Sequence, residues 1–103
     1  MDREVVREKI NQGRIRWQRH ALQRMMERGI TRNEVKKTLL KGELIEEYPK
    51  DHPYPSGLFF YIDSGLPLHV VAAIDKDAEW CYIITAYRPD SEHFESDYKT
   101  RTS

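Results

Sequence analysis

The amino-acid sequence predicts an α+β fold: N-terminal helices packed on one face of a mainly antiparallel sheet of roughly four strands. Three observations carry this expectation. Up to Gly42 the apolar residues recur at helical spacing; beyond it they alternate or run continuously, as strands do. Capping residues and glycines punctuate the helical half. The last strand-like stretches are joined by turns too short for a crossover, so they form an antiparallel meander. A chain of 103 residues has room for one domain around one core.

The first helix spans about residues 2–12. Asp2 caps it, Val5, Val6 and Ile10 form its apolar stripe, and Gly13 ends it. Residues 14–17 alternate Arg-Ile-Arg-Trp, which fits either a short edge strand or an extended connector. The second helix covers about residues 18–28, with Ala21, Leu22, Met25 and Met26 on its apolar side and Gly29 as its stop. Thr31 followed by Glu34 reads as a capping box, so a third helix begins there. Its apolar positions are Val35, Leu39 and Leu40, and Gly42 closes it.

Leu44, Ile45 and Tyr48, flanked by glutamates, read as a strand with one wet side. Pro49, Pro53 and Pro55, with Asp51, Ser56 and Gly57, make a rigid loop. Strands follow at 58–63, 67–75 and 80–87, the last the strongest strand signal in the chain. The runs at 68–74 and 80–87 are apolar at nearly every position and belong inside the sheet, with Ile84 expected at full burial. From Pro89 the chain is polar; residues 91–103 form a tail expected to be flexible, with Phe94 and Tyr98 as its anchors.

Composition narrows the function classes. No apolar run is long enough to cross a bilayer, and the charged start leads into no apolar stretch, so a cytoplasmic protein is expected. The single cysteine, Cys81, forms no internal disulfide and sits in an apolar run, which favours an inert buried thiol over a nucleophile. The net charge is zero, but residues 1–28 carry +4, residues 29–80 carry −3 and residues 81–103 carry −1. The positive excess, mostly arginine, sits in the first helices, where it either grips phosphate or only solvates helix faces.

His20, Arg24 and Arg28 stand four apart and share one side of the second helix. A histidine suited to proton transfer beside two phosphate-binding cations supplies much of what metal-free RNA cleavage needs. The plainer reading is a polar helix face. His69 lies within a strand and is read as a hydrogen-bonded core or interface residue before a catalyst. Tyr87 and Arg88 end the strongest strand, where a phenol can donate a proton and a guanidinium can bind phosphate. Alternatively Tyr87 caps the core with its hydroxyl in water. Lys99 and Arg101 reach RNA or a partner, or belong to a frayed end. The four histidines fall in four segments without ligand spacing, so neither a metal nor another cofactor is expected. Glycine-rich phosphate loops and Gly-x-Ser-x-Gly turns are absent. Tyr48, Tyr54, Phe59, Phe60 and Tyr61 either stack on bases or fill the core.

Four stretches in order carry a family resemblance: HALQRMMERGI from His20, GELIEEYP from Gly42, PYPS from Pro53 with PLHVV from Pro67, and IITAYRPD from Ile83. Together they cover about residues 15–101 and resemble a bacterial and archaeal family known as a domain of unknown function, number four-two-five-eight. The resemblance implies a helix-plus-sheet fold similar to the RelE and BrnT toxins of type II toxin–antitoxin systems. It implies His20, Arg24, Arg28, His69, Tyr87 and Arg88 as the recurrent polar positions. RelE-like nucleases are strongly basic, whereas this chain is neutral.

The leading expectation is therefore a metal-independent endoribonuclease toxin with RNA as substrate and a cognate antitoxin as partner. His20, Arg28, Tyr87 and Arg88 are its catalytic set; Arg24, His69, Lys99 and Arg101 bind substrate. The alternative is a non-catalytic protein- or RNA-binding module with a toxin-like fold. A third is a homodimer joined through the sheet edge.

Overall fold

A computed structural model describes residues 1–90 and 94–101. His93 and the rest of 91–93 and 102–103, part of the predicted tail, lie outside the described residues. The helices are α1 (Arg3–Asn11), α2 (Arg19–Arg28) and α3 (Arg32–Lys41). The strands are β1 (Ile15–Trp17), β2 (Glu43–Tyr48), β3 (Ser56–Asp63), β4 (Leu66–Ile74) and β5 (Cys81–Tyr87). The Asp2 carboxylate accepts the Glu4 N–H and caps α1. Gly29 ends α2 in the left-handed region at φ 67°, which glycine adopts without strain. Thr31 and Glu34 form the full capping box of α3.

The strands form one mixed sheet in the order β1-β5-β4-β3-β2. Its antiparallel part is the expected meander, extended by β2. The fifth strand departs from the expectation of about four. β1 lies on the outer edge of β5 and runs parallel to it, Ile15 opposite Cys81 and Trp17 opposite Ile83. A parallel neighbour needs a crossover, and here α2, α3 and three strands intervene in the chain.

The helices cover one face. Val6, Ile10, Ala21, Met25, Val35 and Leu39 meet Phe59, Leu68, Val70, Ala72, Cys81, Ile83 and Ala86 in one core. The strand period of two sends Leu58, Phe60, His69, Val71, Ala73, Tyr82 and Tyr87 to the other face. A bulge interrupts the pairing of β4 and β5: Val71 faces Thr85, and Ala72 faces Ile83. Ile84 is the unpaired extra residue. It is therefore half-buried and not fully buried as the apolar run led one to expect, and Ile83 takes the fully buried place.

Residues 94–101 return over the helix-free face. Phe94 is buried and its ring meets the His69 ring edge-on at 4.5 Å. Arg101 bridges to Phe94 within this strap and pairs with Glu46 on β2. Lys99 pairs with Glu43, also on β2. Among the described residues no helix is long and apolar enough to cross a membrane.

Candidate functional site

The open end of the sheet carries a cavity of about 500 Å3 lined by Arg28, Tyr87, Arg88, Pro89, Asp90, Phe94 and Arg101. Three parts of the chain meet there: the C-terminus of α2, the end of β5 and the returning strap. β1 pairs with β5 only as far as Ile83. Beyond that point Arg28 caps the exposed edge, its guanidinium donating to the Ala86 carbonyl at 2.9 Å. Arg88 follows β5 and is held by the α3 cap, donating to Glu34 Oε2 at 2.5 Å and to the Pro67 carbonyl at 3.2 Å. Burial pulls the Glu34 carboxyl up, but its bonds to Arg88 and to the Thr31 N–H outweigh this and hold it below the usual range.

Arg101 crosses from the strap to Glu46, where its Nε donates at 2.8 Å and a terminal nitrogen at 3.0 Å. It also lies 5.0 Å over the Phe94 ring. The hydrogen bonds it donates to Glu46 and Tyr48 raise its own pKa further. Burial raises Glu46, but Arg101 and Tyr48 more than offset it, so the carboxyl titrates low. The Tyr48 hydroxyl is pushed up to about 12 by burial and by its bond to Glu46.

His69 sits behind Tyr87 with no solvent exposure. Its Nε2 lies 2.6 Å from the Tyr98 carbonyl, an acceptor with nothing to donate, so Nε2 carries the proton. Nδ1 is then the bare nitrogen, and it accepts the Tyr87 hydroxyl at 3.2 Å. Burial holds the imidazole below the ordinary histidine value, only partly offset by the Tyr98 bond. Burial likewise raises the Tyr87 phenol. At neutral pH the arrangement is a protonated tyrosine leaning on a neutral, oriented imidazole.

The structure thus brings Arg28, Tyr87, Arg88 and Arg101 around one cavity, with His69 directly behind it. His20 and Arg24 are exposed on α2 and do not line it; Arg24 pairs with Glu27. His20 stands eight residues before Arg28, about 12 Å along the helix axis. Lys99 stays with Glu43, away from the lining. Glu34, Glu46, Phe94 and the Tyr98 carbonyl were not singled out as site groups from sequence. Glu34 had been read only as a cap, and Glu46 as the wet side of a strand. Cys81 is fully buried, and burial pushes its thiol up to about 12, far from a nucleophile. Among the described residues no three His, Cys, Asp or Glu side chains gather as metal ligands would.

These features define an α+β domain with an arginine-rich, tyrosine-bearing cavity where its sheet opens. The chain belongs to the family described as a domain of unknown function, DUF4258, whose model matches residues 17–88. No curated protein matches the chain.

Proposed function

We propose that this chain cleaves single-stranded RNA without a metal ion, as a toxin of the RelE and BrnT kind, at the cavity of Arg28, Tyr87, Arg88 and Arg101. The observation that supports it most is this convergence of three guanidiniums on a phenol backed by an imidazole. Guanidiniums bind phosphate oxygens and stabilise charge building on them. Arg28 has the leading role, because its bond is to the Ala86 carbonyl and it makes no ion pair with a carboxylate among the described residues. Tyr87 takes the proton of the 2′-hydroxyl while its own passes to His69 Nδ1. The 2′-oxygen bonds to phosphorus, the bond from phosphorus to the 5′-oxygen breaks, and the relay returns a proton to that oxygen. The products are a 2′,3′-cyclic phosphate and a 5′-hydroxyl. A protein with this activity needs an antitoxin to silence it.

A second reading rests on a specific observation: Arg88 and Arg101 are each already held by a carboxylate, and the chain is neutral overall. A pocket so balanced suits a non-catalytic module that binds a protein or RNA weakly. Expression in bacteria, followed by assay of the purified chain on single-stranded RNA in excess chelator, separates the two. The first reading expects growth arrest and fragments with 5′-hydroxyl ends. It expects Tyr87→Phe to slow cleavage by about a hundred- to ten-thousand-fold. It expects His20→Ala to cleave like the parent. A parent that neither arrests growth nor cuts RNA leaves the binding module.

A further inference from the structure

A second cluster lies on the helix-free face at the β1 end of the sheet, away from the cavity. Tyr82 on β5 and Tyr54 on the loop before β3 meet with ring centroids 5.4 Å apart. Trp80 immediately precedes β5. The Arg16 guanidinium lies 3.9 Å from the centre of the Trp80 ring and that of Arg14 5.6 Å from it. The parallel pairing of β1 causes this, since it sets Arg16 opposite Tyr82. Beside the rings is a narrow cleft of about 100 Å3, lined by Gln18, His52, Tyr54, Ala73, Tyr82 and Ile84 among others. The bulge supplies Ile84 to this cleft. All three aromatic residues are half-buried, so each is anchored yet reaches the surface.

Arginines and carboxylates both border this cluster, and the arginines are not paired with them. Arg14, Arg16 and Arg19 are exposed and make no ion pair among the described residues. The carboxylates of the two flanking loops are engaged locally: Asp51 accepts the Ser56 hydroxyl, and Asp75 accepts the Glu79 and Trp80 N–H groups. Asp77 and Glu79 remain exposed on the turn before β5. Aromatic faces interleaved with unpaired arginines match a flexible polyanion whose bases are free to stack. A duplex hides those faces; a single strand offers them.

We infer that Tyr54, Trp80 and Tyr82, flanked by Arg14 and Arg16, form a base-stacking platform for single-stranded RNA. This rests on the RNA reading of the cavity and assigns the place where the substrate is held away from the cut. From Tyr82 to Tyr87 is five residues of β5, about 17 Å at the rise of a strand. A strand lying along the outer edge of β5, past the end of β1, joins the platform to Arg28.

The test uses the full chain with Trp17→Phe, which leaves Trp80 as the sole tryptophan of the two present. A short labelled single-stranded RNA is titrated, with the duplex of the same sequence as comparison. The single strand should quench Trp80 emission saturably, and the duplex should not. Tyr82→Ala and Tyr54→Ala should each weaken binding about five- to a hundred-fold, the worth of one stacked base, and Tyr82→Phe should restore it. Arg16→Ala should flatten the salt dependence of binding. Thermal melts confirm that each variant folds. If RNA binds but these variants match the parent in affinity and quenching, the platform is refuted while the RNA reading stands. If RNA binds with quenching and is never cut, the platform stands and cleavage falls. If the parent binds no RNA, both fall. If the variants lose only a co-purified protein partner, with RNA affinity unchanged, the surface belongs to a protein and the platform is overturned.

Discussion

Replacing His69 with alanine tests whether the buried imidazole pins the strap to the sheet. The change removes the bond to the Tyr98 carbonyl at 2.6 Å and the Tyr87 hydroxyl's acceptor at 3.2 Å. It also removes ring contacts with Phe60, Tyr87 and Phe94, at centroid distances of 5.7, 5.2 and 4.5 Å. Each hydrogen bond is worth about 1 kcal/mol, and each aromatic pair about 0.5–1.5 kcal/mol. Tyr87 lines the cavity and can turn to water, so its loss is the smaller of the two. Together the contacts come to about 3–6 kcal/mol before any void is counted, a large share of the stability of a small domain. Urea denaturation reads the global loss. Trypsin reads the local one, because Lys99 and Arg101 lie in the strap and should be cut sooner in the variant. A loss under about 1 kcal/mol, with the strap as resistant as in the parent, would refute this account of what holds 94–101.

Three further outcomes are expected. In pH titration, stability should fall as pH drops below about 6.5, because unfolded His69 takes a proton more readily than the folded imidazole; His69→Phe should lack this upper limb. A second decline, shared by both proteins, should follow as Glu34 and Glu46, held low when folded, are protonated. Ile83→Ala should cost about 2–5 kcal/mol in chemical denaturation, and Ile84→Ala clearly less, because the bulge leaves only Ile83 in the core. Gly42→Ala should unfold the chain or shift its melting point down sharply. A methyl there would lie 2.3 Å from the Thr38 carbonyl oxygen and 2.5 Å from that of Phe60, where α3 hands over to β2.

The helices were legible because their signals are local. Asp2, Thr31 with Glu34, and Gly29 each act on backbone groups within one turn, and each does so in the structure. β3, β4 and β5 were legible for the same reason, through short turns and strong β propensity. β1 was legible only in part: the Arg-Ile-Arg-Trp alternation allowed an edge strand, but nothing in it pointed to β5, across most of the chain, as its parallel partner. The bulge at Ile84 also left no trace, since an unbroken apolar run reads the same with or without an extra residue. The site divides in the same way. Arg28, Tyr87 and Arg88 end regular elements, positions that invite scrutiny in any sequence. His20 shares a helix side with Arg28, but eight residues of rise separate it from the cavity that Arg28 reaches. Glu34, Glu46 and the Tyr98 carbonyl act through contacts distant in the chain, and no spacing announces those.

The matched family region ends at residue 88, yet the cavity does not. Pro89, Asp90, Phe94 and Arg101 complete its wall, so the part of the chain after the match closes a site whose first half lies within it. The relative strengths of the anchors decide how that wall responds to an anion. Arg101 and Glu46 are partly exposed, with side chains 52% and 26% accessible, so their pair contributes no more than about 1 kcal/mol. Buried Phe94 and the His69 bond to Tyr98 hold the strap more firmly. A phosphate can therefore draw the Arg101 guanidinium away from Glu46 while the strap stays docked. Arg88 differs: Glu34 and the Pro67 carbonyl hold it together, and Glu34 is also the cap of α3, so drawing Arg88 away would disturb a helix end. In the proposed RNA reading, Arg28 is the cation that meets the phosphate first, Arg101 the one that is recruited, and Arg88 the one that keeps the end of β5 in place.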